Sequence, residues 1–353
     1  MASQAELTAM RRAIDLARTP GVPLGPNPRV GAVLLDGTGE VVAEGFHRGA
    51  GTPHAERRIL ARASQAARGA TAVVTLEPCN HIGRTGPCTQ ALIQAGVARV
   101  VYAQSDTSPR AAGGDAALRA AGIDVEAGVL ADEAERVNVA WTFALRNHRP
   151  YVTWKFAATL DGRSAAIDGS SQWITGPCAR ADVHRLRAEC DAVLAGTGTV
   201  LADDPHLTVR QPSGQPLEPA SQPLRAVMGR REIPSEARVL DAAAPTVVLQ
   251  TRDPHEALAA LAARDCQHVW LEGGPTLAAA FVAEDLVDRV VAYVAPALLG
   301  SGAAAVADLG ISSIDKAVRF RLADVTRIGD DVRLTMTRAD LPDEPRFHDE
   351  GVR

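Results

Sequence analysis

The residue types best suited to chemistry gather early in the chain. His54-Ala55-Glu56 is followed by two cysteines, separated by eight residues, within Pro78-Cys79-Asn80-His81-Ile82-Gly83-Arg84-Thr85-Gly86-Pro87-Cys88. One imidazole and two thiolates suit Zn2+, and three protein ligands leave the fourth tetrahedral position open to water. A closed structural site would want a fourth Cys or His. His81 is the one rival, but it lies two residues from Cys79, a spacing that rarely lets both side chains reach one metal. Glu56, two residues from His54, is placed to move protons rather than to bind metal. Zinc lowers the pKa of a bound water to about 7. The chemistry implied is hydrolysis at neutral pH, with His54, Cys79 and Cys88 as ligands and Glu56 as acid and base.

Such groups need rigid supports. Residues 1 to about 146 alternate helix and strand: helix Gln4 to Arg18, strand Val30 to Leu35, a turn at Asp36-Gly37 and a strand near Val41 to Gly45. Helix Ala55 to Ala67 leads into the β-branched run Thr71 to Leu76. Pro87 opens a helix that Gly96 ends. Strand Val97 to Ala103, a helix near Ala116 to Ala121 and strand Ile123 to Ala127 complete an α/β sandwich. His54 and Glu56 thus fall at one helix start and Cys88 at another, where helix N-termini favour thiolate.

Arg146-Asn147-His148-Arg149-Pro150 is polar, charged and closed by proline, which sets a domain boundary there. The expected organisation is a first domain at 1–147, a second at 148–339, and a charged, proline-containing tail at 340–353 that reads as disordered. The second domain alternates again. Strand Tyr151 to Ala157, helix Ala179 to Cys190, strand Ala192 to Ala195, and strands near Arg225 to Met228 and Thr246 to Gln250 come first. Helix Pro254 to Arg264, strand His268 to Glu272, helix Pro275 to Ala283, and strands Val290 to Val294 and Val332 to Thr337 follow. No G-x-G-x-x-G follows a strand, so an ordinary Rossmann dinucleotide domain is disfavoured. Glu272-Gly273-Gly274-Pro275-Thr276-Leu277 and Gly196-Thr197-Gly198-Thr199 are two glycine turns at strand ends, which suggests one nucleotide held across a crevice.

A chain of 353 residues exceeds what one core usually sustains. The net charge of -5 offers no broad attraction to nucleic acid or anionic lipid, and no stretch has the roughly 20 apolar residues of a membrane span. Met1 to Arg12 has no apolar signal core, so a cytoplasmic location is expected. Five cysteines argue against a disulfide framework, leaving Cys178, Cys190 and Cys266 as buried thiols.

His-x-Glu followed by Pro-Cys and a second Cys resembles the signature of zinc-dependent nucleobase deaminases, in which two residues rather than eight separate the cysteines. The longer insertion, Cys79-x-His81-x-Gly83-Arg84-Thr85-x-Pro87-Cys88, resembles the deaminase half of the bifunctional riboflavin-biosynthesis deaminase-reductase family. Gly25-Pro26-Asn27-Pro28-Arg29-Val30-Gly31 and Gly45-Phe46-His47 are similar to the same family. The resemblance implies a cytidine-deaminase-like αβα sandwich, with Asn27, His47, His81 and Arg84 holding a pyrimidine and its ribose phosphate. A guanidinium is a natural bidentate clamp for phosphate. Asn80, where serine is more common, and Arg57-Arg58 depart from the family's usual pattern.

Pro150-Tyr151-Val152-x-x-Lys155, Leu160-Asp161-Gly162-Arg163, Gln172-Trp173-Ile174-Thr175, Leu201-Ala202-Asp203-Asp204-Pro205 and Glu272-Gly273-Gly274-Pro275-Thr276 resemble the reductase half of that family. That half implies a dihydrofolate-reductase-like α/β domain using NADPH. By the resemblance Ala158, Trp173, Thr199, Asp203, Gly274, Pro275, Thr276, Leu277, Ala278, Ala279 and Ala280 line the cofactor site. Ser171, Arg187, Leu207, Arg210 and Glu272 meet the ribosyl substrate, and Lys155 and Asp203 position or protonate its sugar. Met228-Gly229-Arg230-Arg231 stands where the family often carries Asp-Ser after the strand, leaving Arg230 or Arg231 to replace a serine at the cofactor's 2′-phosphate. Related enzymes are expected to assemble as homo-oligomers through this half. The competing reading is a nucleoside, tRNA or DNA deaminase joined to a nucleotide-sensing domain, which the acidic charge and lack of basic runs oppose.

Overall fold

The structure, a computed structural model, describes residues 1–19, 22, 25–81, 86–108, 113–211 and 213–338. Arg84 and the 340–353 tail lie outside the described residues. The chain divides into two compact units, Met1–His148 and Arg149–Arg353.

In the first unit the elements run α1 Gln4–Ala17, β1 Gly31–Leu35, β2 Val41–Phe46, α2 Ala55–Ala63, β3 Thr71–Leu76, α3 Cys88–Ala95, β4 Arg99–Gln104, α4 Gly114–Ala120, β5 Asp124–Glu126, α5 Ala131–Val137 and α6 Val139–Asn147. Among the described residues the strands form one sheet, β2-β1-β3-β4-β5, antiparallel at β2-β1-β3 and parallel from β3 to β5. Strand residues read as continuous apolar runs because helices cover both faces. Alternate residues go to opposite cores. Ala32, Leu34, Ala72, Val74, Val100 and Tyr102 pack with Ile59 of α2, Leu92 of α3 and Leu118 of α4. Val33, Leu35, Val73, Val101 and Ala103 pack with Met10, Ala13 and Ile14 of α1 and Ala134 of α5. This is the expected αβα sandwich. Ser3 caps α1, accepting from Glu6 N–H at 3.2 Å while donating its own to Glu6 at 2.6 Å.

The second unit contains β6 Tyr151–Thr159, α7 Pro177–Arg187, β7 Ala192–Gly196, α8 Thr197–Asp203, β8 Leu224–Met228, β9 Thr246–Leu249, α9 Pro254–Ala262, β10 His268–Leu271, α10 Pro275–Ala283, β11 Arg289–Ala295, β12 Arg321–Ile328 and β13 Asp331–Thr337. Its described strands order as β12-β13-β11-β6-β10-β7-β8-β9; all pairs from β11 to β9 are parallel, and β13 and β12 add antiparallel at one edge. One face carries α9 and α10 over Val152, Leu194, Ala226 and Leu271, and the other carries α7 over Val193, Val227 and Trp270. The parallel strands therefore open their C-terminal ends together, where ligands bind in such sheets.

Several expectations are corrected. Helices α5 and α6 fill a stretch with no expected element, α8 begins within what reads as a glycine turn, and β12 was not foreseen. β12 is an edge strand with five of its eight residues half-buried, three exposed and none buried, so it lacks the apolar run of the interior strands. α7 starts earlier, at Pro177, and ends at Arg187. Cys178 is exposed rather than buried, while Cys190 and Cys266 are buried as expected.

Candidate functional site

In the first unit the C-terminal end of β3 delivers Cys79, α2 begins at Ala55 directly after His54, and α3 begins with Cys88 itself. Close backbone packing fixes this junction: a Cβ on Gly114, the first residue of α4, would lie 1.9 Å from Pro78 O. His54 Nδ1 is 3.6 Å from Cys79 Sγ and 3.3 Å from Cys88 Sγ, and all three donor atoms fall within 4.8 Å of one another. Tetrahedral bonds of about 2.1 Å to nitrogen and 2.3 Å to sulfur separate such donors by about 3.6 Å, so the set fits zinc. His81 is not part of the cluster.

Cys79 is lowered to about 4, first by the hydrogen bond from Cys88 and also by His54, while Cys88 is pushed up by its bond to Cys79 and by burial. Glu56 is 3% exposed, and burial raises its carboxyl above the ordinary range, as a proton carrier requires. His47 stacks edge-on against His54, with ring centroids 5.2 Å apart. Its Nδ1 lies 3.3 Å from Pro53 O, which can only accept, so Nδ1 carries the proton and Nε2 accepts from Asn27 Nδ2 at 2.9 Å. Burial also holds His47 neutral. His81 is half-buried, and its Nδ1 has no partner among the described residues.

Three supporting residues escaped sequence reading. Buried Asn138, between α5 and α6, accepts from Arg29 N–H at 2.8 Å and donates to Arg29 O at 3.0 Å, fixing the strip that carries Asn27. Asn80 accepts from Thr89 of α3 at 2.9 Å, and Arg57 donates to Gly86 O at 2.9 Å. The last two, noticed only as departures, staple both ends of the segment between the cysteines.

In the second unit Glu272 follows β10 and joins three donors. Lys155 Nζ lies 3.2 Å from Oε1, while Arg187 at 2.7 Å and Trp270 Nε1 at 2.9 Å reach Oε2. Burial alone would raise this carboxyl, but Arg187 and Lys155 outweigh it and hold Glu272 well below the carboxylate range. Arg187 also donates to Thr208 O at 2.8 Å. His184, one turn earlier on α7, accepts from Arg210 N–H at 3.3 Å. Burial and the nearby Arg187 and Arg210 lower His184 to about 4, so it is neutral. Nothing in the sequence marked it.

The nucleotide candidates gather at the strand ends. Gly274 N–H donates to Thr199 Oγ1 at 3.2 Å, and a Cβ on Gly273 would meet Leu277 at 2.7 Å, so the two glycine turns are joined and closely packed. Ala158 is buried at the end of β6, and Pro275, Thr276 and Leu277 form the first turn of α10. Ala278 and Ala279 lie on the buried face of that helix, and Ala280 is half-buried. Trp173 is 69% exposed, and Arg180 lies over its ring at 4.5 Å from the centroid. Ser171 is half-buried and Arg210 exposed. Leu207 turns its side chain into the core at 4% exposure, which leaves only its backbone for a substrate. Asp203 is exposed, has no ion pair among the described residues, and is held above its ordinary value by desolvation. It is thus not joined to Lys155.

Residues 150–334 match the family described as the RibD C-terminal domain, over half of the chain. The chain belongs to the RibD family. Residues 3–104 match the cytidine and deoxycytidylate deaminase zinc-binding region. The riboflavin biosynthesis protein RibD of Mycobacterium tuberculosis is 50% identical over 312 residues, 88% of this chain and 91% of its own. RibD of Acinetobacter baumannii aligns with a TM-score of 0.86 at 38% identity, covering 95% of this chain and 99% of that one. The Thermotoga maritima diaminohydroxyphosphoribosylaminopyrimidine deaminase/5-amino-6-(5-phosphoribosylamino)uracil reductase aligns equally well, TM-score 0.86 at 33% identity with the same coverage. This RibD-family chain is therefore a bifunctional deaminase and reductase of riboflavin biosynthesis, using zinc in one domain and NADPH in the other. No described helix is long and apolar enough to cross a membrane.

Proposed function

We propose that the domain at 1–147 deaminates 2,5-diamino-6-(5-phosphoribosylamino)pyrimidin-4(3H)-one, and that the domain at 148–339 reduces the ribosyl group of 5-amino-6-(5-phosphoribosylamino)uracil to ribityl. The observation that carries the first half is the His54, Cys79 and Cys88 donor set beside buried Glu56. Zinc held there supplies a Lewis acid that brings a water's pKa to about 7. Glu56 takes one proton from the water and gives it to the ring nitrogen as the water oxygen bonds to the ring carbon that bears the amine; it then moves the second proton, from the new hydroxyl, to the amine, so that the C–N bond breaks, ammonia leaves and a carbonyl remains. Asn27 and His47, bonded to each other, hold the pyrimidine and its ribose phosphate together with His81 and Arg84.

In the second half bound NADPH would supply a hydride, which bonds to the sugar's anomeric carbon as the C–O bond of the ribose ring opens and the ring oxygen takes a proton. Thr199, Gly274 and the first turn of α10 cradle the cofactor, with Ala158, Trp173 and Asp203 beside it. Lys155, aimed by Glu272, and Asp203, with its raised carboxyl, position and protonate the sugar. Arg187 and Arg210 take the substrate phosphate, with Ser171 and Leu207 completing the pocket. The substrates are small molecules rather than nucleic acid, in keeping with the net charge of -5. The protein works in the cytoplasm as a homo-oligomer built through the reductase half.

Supplying the diaminopyrimidine substrate with NADPH to zinc-loaded protein tests both steps: ammonia should appear first and NADPH absorbance should then fall in equal amount. Ammonia without NADPH consumption would refute the reductase assignment.

A further inference from the structure

Arg231 takes no part in the contacts described above, yet it borders the nucleotide cradle. The turn Gly229-Arg230-Arg231 follows β8, whose parallel neighbour β7 leads into α8. Gly229 has φ 144°, and a Cβ there would meet Thr197 Oγ1 at 2.4 Å, so the turn is pressed onto the start of α8 and tolerates only glycine. From that turn Arg231 reaches over the next residue of α8: a Cβ on Gly198 would lie 2.7 Å from Arg231 Nη2. Thr199, which accepts from Gly274 N–H, comes immediately after. Arg231 is thus one residue from the hydrogen bond that joins the two glycine turns.

Both Arg230 and Arg231 are exposed, and among the described residues neither guanidinium has a hydrogen bond or ion pair, even with neighbouring Glu232. Most cations in this domain are already engaged: Arg187 and Lys155 by Glu272, Arg225 by Asp241, Arg333 by Asp182. A carboxylate at a nucleotide-binding strand end favours a ribose hydroxyl, whereas an arginine accommodates a 2′-phosphate through its bidentate fork. Here the strand end offers glycine and arginine and no carboxylate until Glu232.

We propose that Arg231 recognises the 2′-phosphate of the dinucleotide and sets the preference for NADPH over NADH. Gly198 gives the guanidinium its room, and Arg230 adds only general attraction. The inference rests on the reductase reading of this domain.

The test is titration calorimetry of the full-length protein with NADPH, NADH, 2′,5′-ADP and 5′-AMP. The wild type should bind 2′,5′-ADP more tightly than 5′-AMP, with the difference shrinking in high salt. R231Q should weaken NADPH and 2′,5′-ADP by roughly tenfold or more while leaving NADH and 5′-AMP unchanged. R231K should restore part of the loss, and R230Q should cost much less. Equal weakening of NADPH and NADH by R231Q would overturn the assignment, as would a phosphate-specific loss in R230Q alone. A wild type that binds NADPH no better than NADH would also overturn it, while leaving the reductase reading intact. A folded wild type that binds no nucleotide would remove the reductase reading itself.

Discussion

Lys155 and Glu272 are neighbours across two parallel strands: β6 and β10 pair Trp154 with Leu271, and the next residue of each carries its charge into a 3.2 Å ion pair. Sheet register, not a flexible loop, therefore aims the lysine. Arg187 completes the arrangement from α7, so one carboxylate holds two cations at the mouth of the site.

Glu272→Gln keeps the shape and removes the charge. Both cations are then left partly buried without a counter-charge, which costs about 2 kcal/mol at this degree of exposure. The urea midpoint should fall and NADPH oxidation should drop steeply, while ammonia release by the other domain persists. Unchanged NADPH oxidation would show that the carboxylate does not aim Lys155.

Glu56→Gln separates proton transfer from metal binding. The amide cannot accept the water's proton, so ammonia release should fall by about 10²- to 10⁴-fold. Zinc content, measured by atomic emission, should stay at the wild-type level because His54, Cys79 and Cys88 are untouched. Loss of zinc in this variant would make Glu56 a ligand and sink its assigned role.

How far the sequence reached can be judged from particular residues. His54, Cys79 and Cys88 were legible because a metal demands specific donors at helix starts, and both starts carry local signals. The glycine turns were legible as close backbone approaches, although α8 hid behind one of them. What stayed illegible was long-range or context-dependent. Asn138 supports Arg29 across 109 positions, a pairing that only the closed fold creates. His184 looks like any helix residue until Thr208 and Arg210 arrive beside it. Cys178 read as a buried thiol because its type usually is one, and its place in the first turn of α7 left it exposed.

Removing the metal should uncouple the two activities. Chelation, or Cys88→Ser, takes away a ligand or the ion itself, so ammonia release should vanish and return on adding Zn2+ to the chelated wild type. NADPH oxidation with the deaminated substrate should continue, because Lys155, Glu272 and the Thr199–Gly274 cradle contain no part of the zinc site. Simultaneous loss of both activities with a native fold would contradict this division of labour.

Acid should destabilise the second domain in two windows. An unfolded chain protonates His184 below about pH 6.5, its ordinary value. The folded chain refuses that proton until about pH 4, because burial and then Arg187 and Arg210 oppose it, only partly offset by Glu272. Between those values the unfolded state binds more protons, so stability is full above pH 6.5 and falls as pH drops towards 4, by at most about 3 kcal/mol. Glu272 acts lower. Its depressed carboxyl contributes stability above its ordinary value of 4.5, which is lost as pH falls further. Comparing urea midpoints of His184→Asn and wild type at pH 7, 5.5 and 4.5 cancels the other titrating groups. The variant's midpoint should fall less across this range, and an identical slope in both proteins would show that His184 is not the group refusing the proton.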